Sequence, residues 1–415
     1  MNRLSNVNQH LTANEASSKS KILEKNADDV VIVAAYRSAI TRGGKGGFKE
    51  TTSGELLANL FKATIQKVGI DPKVIGDVVV GNVCNPGAGV NEHRAAQLVA
   101  GIPYTTPFQA INRQCSSGLM AVNAIAQEII TGQIDVGLAA GVESMSNNYG
   151  PNMMSAFPAR FTENEAGMSC LIPMGITSEN VTEKYGLTRK EQDEFAAASF
   201  QKAEKAQKEG LFKEEILPLP AIKIDENDNE SEVTISEDDG IRKGVTAESL
   251  GKLRPAFKSD GATTAGNSSQ VSDGAGAVIL ARRSAAEKLG LPIIGKWVHA
   301  KVVGVPPEIM GVGPAVAIPA VLKDIGLTVD DVDIFEINEA FASQALYSVR
   351  SANIDINKVN PKGGAIAFGH PLGATGARQV STLMTELKRT GKKIGLTSMC
   401  IGTGMGAATV FVSEA

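Results

Sequence analysis

The stretch Ile111-Asn-Arg-Gln-Cys-Ser-Ser-Gly-Leu119 joins a short apolar run, Phe108-Gln-Ala-Ile111, to a long series of apolar residues. Leu119, Met120, Val122, Ile125, Ala126, Ile129 and Ile130 recur at helical spacing, so the stretch reads as a strand-to-helix turn with Cys115 at the helix N-terminus. Backbone N–H groups at such a terminus favour negative charge, and on that ground the thiol is expected to ionise below its ordinary value of about 8.5. Gly118 is expected to leave room for a substrate. Free cysteines more often serve as small buried hydrophobes. The turn by itself leaves nucleophile and packing residue both open.

Upstream, Val30-Val-Ile-Val-Ala-Ala35 is β-branched and uniformly apolar, as expected of a buried parallel strand. The glycines at 43–47 lack the spacing of a phosphate loop and read as a turn. A helix is expected over 53–68 with Ser53 as its N-cap, then a strand at 77–81, a helix opening at Asn91 and a strand at 137–141. This alternation indicates an α/β layered architecture.

The 415 residues are 43% hydrophobic and 21% charged, enough for two or three domains with a sizeable core. A net charge of -4 argues against a general nucleic-acid binder, and no apolar run reaches the roughly 18 residues of a membrane span. Neither nucleic acid nor a membrane is an expected partner. Cys84, Cys115, Cys170 and Cys400 form no C-x-x-C pair, which suits a reducing compartment. The 43 glycines lie within apolar segments and imply close backbone packing.

Residues 1–26 are polar and poor in core residues, and read as a tail without a secretory apolar segment. Within it Arg3-Leu4 and His10-Leu11 stand five residues apart. That spacing resembles the type 2 peroxisomal targeting signal, implying an import receptor as partner and the peroxisomal matrix as destination. Residues 147–246 read as an inserted lobe, with the acidic stretch 225–239 as exposed loop.

The ends of the chain resemble each other. Gly69-Ile-Asp-Pro-Lys-Val-Ile-Gly-Asp-Val aligns with Gly326-Leu-Thr-Val-Asp-Asp-Val-Asp-Ile-Phe, and Thr131-Gly-Gln-Ile-Asp-Val-Gly-Leu with Thr390-Gly-Lys-Lys-Ile-Gly-Leu at nearly the same offset. Two similar α/β halves are therefore expected: 27–146 with 247–292, and 293–415. The offset places Cys115 opposite about Gly373, so equivalent turns of the two halves should meet.

Three later stretches combine polar residues with glycine: Asn338-Glu-Ala-Phe341, Gly369-His-Pro-Leu-Gly373 and Cys400-Ile-Gly-Thr-Gly-Met-Gly406. An imidazole such as His370 can accept a proton near neutral pH, and glycine N–H groups after Cys400 can hold an oxyanion. Two cysteines, a histidine and an asparagine suggest acyl transfer through a thiolate.

With Gln114-Cys-Ser-Ser-Gly-Leu119, these stretches resemble the four signature motifs of the thiolases, in that family's order and over essentially the whole chain after about residue 27. The resemblance implies a five-layered core of two α/β halves with an inserted loop domain, and thiolytic cleavage of 3-ketoacyl-CoA by CoA. It implies Cys115 as nucleophile, His370 as its base, and Cys400 as the acid for the acetyl-CoA enolate. The enolate oxygen falls to His370 and a water on Asn338, and the tetrahedral oxyanions to the N–H groups of Cys115 and Gly402. Arg242 and Ser269 match positions near CoA, and Met174, Phe257 and Met310 match apolar wall positions. CoA is a co-substrate, no metal or other cofactor is implied, and a homodimer is expected. Pro173 stands where many short-chain thiolases have histidine, which weakens an acetoacetyl-specific reading. A biosynthetic acetoacetyl-CoA thiolase is the alternative, and an inactive acyl-CoA or lipid binder the alternative of another class.

Overall fold

The computed structural model describes residues 18–150 and 158–415. The targeting residues Arg3, Leu4, His10 and Leu11 lie outside them. Five main strands build the first half, β1 (Val30–Arg37), β2 (Asp77–Gly81), β3 (Phe108–Ile111), β4 (Val136–Ser144) and β5 (Ser272–Arg282), and the two-residue strand Thr41–Arg42 pairs with the start of β5. The five lie in the order β3-β2-β4-β5-β1, with β2 parallel to β3 and β4, and β5 antiparallel to β4 and β1. The second half repeats this with β6 (Gly295–Gly304), β7 (Ile334–Ile337), β8 (Ile394–Ile401) and β9 (Met405–Ser413) in the order β7-β8-β9-β6. Its counterpart of β3 is reduced to a parallel bridge from Phe335 to Val359. Topology and strand directions thus repeat, as the aligned segments predict. The halves join edge to edge where β1 meets β6 at Val31 and Ile32.

β1 is fully apolar up to Ala35 because both its faces are covered, yet it runs antiparallel to both neighbours. The expected parallel strand is corrected on that point: burial on two faces makes an apolar run, whichever way the neighbours point.

Helices complete five layers. Helix α1 (Ser53–Val68) covers the outer face of the first sheet with Leu56, Leu57, Leu60 and Phe61. Its N-cap is Thr52, one residue before the expected Ser53, because Thr52 and Glu55 form a reciprocal capping box. The central layer is α2 (Ser117–Ile130), which follows β3, and its counterpart α7 (Thr375–Thr390). Leu119, Val122 and Ile125 of α2 share one apolar cluster with Val380, Leu383 and Leu387 of α7 and with strands of both halves. The far face of the second sheet is covered by α5 (Gly313–Asp324) and α6 (Ala342–Ser351).

The two central helices meet backbone to backbone. A methyl at Gly118 would stand 2.5 Å from the Gly373 carbonyl, and one at Gly376 would collide with the Leu119 nitrogen. Gly118 therefore makes room for the other half's turn, where the sequence suggests room for substrate.

Segment 147–246 carries α3 (Met174–Tyr185) and α4 (Arg189–Lys208). The acidic stretch departs from the exposed loop expected of it. Leu219–Ile224 and Glu230–Ile235 form a β-hairpin. Beyond it, Asp238 is buried and pairs with Arg37 at 2.7 and 2.9 Å. Charge density in sequence does not reveal that a long-range cation waits for one of the carboxylates.

Candidate active site

Cys115 stands just before Ser116, the N-cap of α2. The chain enters it through strained backbone, since Gln114 has φ of +48°, a left-handed conformation that costs a side-chain-bearing residue about 1 kcal/mol or more. The turn is held by the Gln114 N–H on Asn112 Oδ1 at 2.9 Å and by the Ser117 hydroxyl on the Gln114 carbonyl at 2.6 Å.

The backbone N–H groups of Gly402 and of Cys115 itself are directed at the Cys115 sulfur. Two such donors can hold an oxyanion on a group bonded to that sulfur. Burial nevertheless outweighs them, and the thiol is pushed up to about 11, with the Glu143 carboxylate adding to the rise. The lowered value expected from the helix N-terminus is overturned. Desolvation of a thiolate at this half-buried junction exceeds what the N–H groups return.

His370 is buried in the turn before α7. Its backbone N–H donates to the Gln270 carbonyl at 3.0 Å and to Ser272 Oγ at 2.9 Å. Nδ1 lies 2.6 Å from Thr375 Oγ1, whose own hydrogen is directed at the Pro371 carbonyl at 3.3 Å. Thr375 therefore accepts from Nδ1–H, which makes Nε2 the accepting nitrogen of the ring. Its lone pair faces Nδ2 of Asn338 at 3.3 Å. Burial, with Arg378 nearby, pushes the imidazole down to about 3, so it is a neutral base at physiological pH.

Asn338 follows β7 and is anchored by its N–H on the Ser398 carbonyl at 2.8 Å. Its Oδ1 is buried without a partner among the described residues, and a buried acceptor in that state is suited to bind water or a ligand donor. Glu339 turns to Ser199 Oγ at 2.6 Å, Asn360 Nδ2 at 2.7 Å and the Ile366 N–H at 3.3 Å, and so anchors the turn that carries Asn338.

Cys400, near the end of β8, is fully enclosed against Met310, Ala340 and Phe341. Burial, and then the neighbouring Cys115, push its thiol well up. At neutral pH the site holds two neutral thiols and a neutral imidazole.

Two of the residues expected along the apolar wall, Met310 and Phe257, connect outward from Cys400. Met310 touches Cys400, and Phe341 of the same cluster meets Phe257 edge to face at 6.3 Å. Phe257 covers Gly175 beside the exposed Met174. The Ser269 N–H donates to the Ala340 carbonyl at 3.0 Å, next to Phe341. Arg242 is exposed and stands outside that chain of contacts.

Sequence reasoning misses Gln114, Gln270, Thr375 and Glu143. The one carboxylate closing the otherwise apolar run 136–142 is a usable signal for Glu143. Nothing local marks Gln270, whose partner lies about a hundred residues away.

A cysteine facing two N–H donors, a neutral histidine and a second enclosed thiol are the equipment of thiol-based acyl transfer. Family models agree with that class: Thiolase, N-terminal domain, matches residues 30–284, and Thiolase, C-terminal domain, matches 291–413. The chain belongs to the thiolase family. It is 64% identical, over the whole of both chains, to the peroxisomal 3-ketoacyl-CoA thiolase of Yarrowia lipolytica. Among solved structures it resembles the dimeric peroxisomal thiolase of Saccharomyces cerevisiae, with TM-score 0.88 and 56% identity over 95% of this chain and all of that one. The acetyl-CoA acetyltransferase of Bacillus anthracis is more distant, with TM-score 0.83 and 38% identity over 93% of this chain and 98% of that one.

Proposed function

We propose that the chain catalyses thiolytic cleavage of 3-ketoacyl-CoA by CoA in fatty-acid β-oxidation, yielding acetyl-CoA and a shortened acyl-CoA. The observation that carries this reading is end-to-end similarity at 64% identity to a protein of that name, together with a complete set of acyl-transfer groups.

In this reading the Cys115 sulfur attacks the 3-keto carbon while His370 Nε2 takes its proton. The tetrahedral oxyanion rests on the N–H groups of Cys115 and Gly402, each such donor being worth about 3 kcal/mol. Carbon–carbon cleavage leaves an acyl-cysteine and the enolate of acetyl-CoA, whose oxygen is held by the imidazolium and a water on Asn338. Cys400 gives its proton to the enolate carbon. The resulting thiolate then takes the proton of incoming CoA, which attacks the acyl-cysteine, and His370 returns its proton to Cys115. Because both thiols start neutral, proton transfer accompanies attack and does not precede it.

Residues 147–246 form the CoA-side lobe of this reading, with Arg242 and Ser269 toward CoA and Met174, Phe257 and Met310 along the acyl path. The core halves are 27–146 with 247–292, and 293–415, behind a targeting tail of 1–26. The protein acts in the peroxisomal matrix, delivered by an import receptor that reads Arg3, Leu4, His10 and Leu11. The peroxisomal names of its relatives support this destination. It works as a homodimer, supported by the dimeric yeast structure and by β3, a sheet edge unpaired among the described residues.

The test follows the enolate absorbance of acetoacetyl-CoA and of a long-chain 3-ketoacyl-CoA with and without CoA. CoA-dependent loss that includes the long substrate is expected. Loss with acetoacetyl-CoA alone would favour the biosynthetic alternative, and no loss with either would indicate an inactive binder.

A further inference from the structure

Glu143 lies near the end of β4 with its side chain fully buried at the junction of the two halves. One carboxylate oxygen accepts from Asn82 Nδ2 at 2.9 Å and the Cys84 N–H at 3.0 Å. The other accepts from the Val83 N–H at 3.0 Å and the Gly373 N–H at 2.9 Å. The first three donors belong to the loop after β2, and the fourth to the turn that carries His370. Each oxygen thus meets two N–H groups, which favour the ionised form, while burial pushes the carboxyl above its ordinary value. A buried carboxylate with such an environment serves either as a structural tie or as part of the site.

Its surroundings favour the second. Backbone of the same loop region packs on the cysteine turn, since a methyl at Gly81 would collide with the Ser117 carbonyl carbon. The titratable groups facing Glu143 are the Cys84 and Cys115 thiols, while β5 at Gly274 and the turn at Gly373 present glycine backbone. The Glu143 charge raises Cys115, so removal of that charge eases thiolate formation.

We propose that Glu143 is a positioning residue for acyl transfer: its carboxylate clamps the loop after β2 to the His370 turn and so sets the nucleophile and its base against each other across the two halves. The reaction it serves rests on the function proposed above.

The experiment is Glu143→Gln in the full-length protein, read by steady-state thiolysis of acetoacetyl-CoA and by iodoacetamide alkylation of Cys115 located by peptide mapping. The amide keeps the shape but turns two hydrogens toward N–H donors. We expect kcat to fall about thirtyfold with KM within about threefold, while alkylation of Cys115 at pH 8 speeds up about threefold. Slower turnover with faster thiol ionisation, at an unchanged melting temperature, is a split that general loosening of the fold does not produce, because loosening would speed alkylation only together with a lower melting temperature. Unchanged kcat, or alkylation that is unchanged or slower, overturns the proposal. Glu143→Asp keeps the charge but withdraws it by one methylene. It is expected to lose turnover with alkylation unchanged, and full turnover in this variant also overturns the clamp, which keeps the test decisive if the glutamine variant does not fold. A wild type without thiolysis would sink the functional reading, and the alkylation comparison would then decide the Glu143–Cys115 coupling alone.

Discussion

Nδ2 of Asn338 stands 3.3 Å from Nε2 of His370, while Nδ1 of the same ring is held 2.6 Å from Thr375 Oγ1. The imidazole is therefore fixed at both nitrogens, one donating and one accepting, before any substrate arrives. Preorganisation of this kind removes reorientation from the reacting step.

Asn338→Ala removes the group at Nε2 together with the unpartnered Oδ1. With the helices and sheets untouched, kcat should fall about ten- to a hundredfold and KM should change little. Steady-state kinetics beside an unchanged circular-dichroism spectrum checks this, and a variant with wild-type kcat would exclude Asn338 from the chemistry.

Thr375→Val keeps the shape of a buried side chain but deletes the acceptor for Nδ1–H. The ring loses the bond that selects its tautomer, so kcat should drop about tenfold. Thr375→Ser should restore most of it, because the hydroxyl returns.

The free enzyme should show no thiolate–imidazolium pair at neutral pH. Cys115 is pushed up to about 11 and His370 down to about 3, so between these values both stay neutral. Alkylation of Cys115 should accelerate about tenfold per pH unit from about pH 6 to 9. A flat rate across that range would reveal a preformed ion pair and contradict the burial argument.

Gly118→Ala and Gly402→Ala separate packing from space. The methyl at 118 would meet the Gly373 carbonyl at 2.5 Å, whereas at 402 its nearest neighbour is Gln114 Cγ at 3.6 Å. The first should displace the His370 turn and lower both activity and melting temperature, and the second should fold normally. Equal thermal stability of the two variants would argue against backbone contact between α2 and α7.

Asp238→Ala leaves the buried Arg37 with only Glu215, at 2.8 Å, to balance it. Uncompensated burial of part of that charge should cost about 3 kcal/mol or more, read as a lower urea midpoint.

Much of the site is legible in the amino-acid sequence. Cys115, Asn338, His370 and Cys400 each sit in a stretch where glycine and polar residues interrupt an apolar element, and the repeat implies two matching halves. What fails is local inference about environment. The helix N-terminus beside Cys115 argues for easy ionisation, yet the closing of the second half over it reverses the sign. The acidic run 225–239 reads as solvated throughout, yet Asp238 finds Arg37, about two hundred residues earlier in the chain.

The amino-acid sequence alone determined the α/β alternation and the internal repeat, and it singled out four candidate groups for the site, because periodicity and residue chemistry are properties of short segments. Tertiary structure alone decided the protonation states, the tautomer of His370, the purpose of Gly118 and the clamp at Glu143. These depend on desolvation and on hydrogen-bond partners supplied from distant segments, which exist only once the two halves have closed on each other.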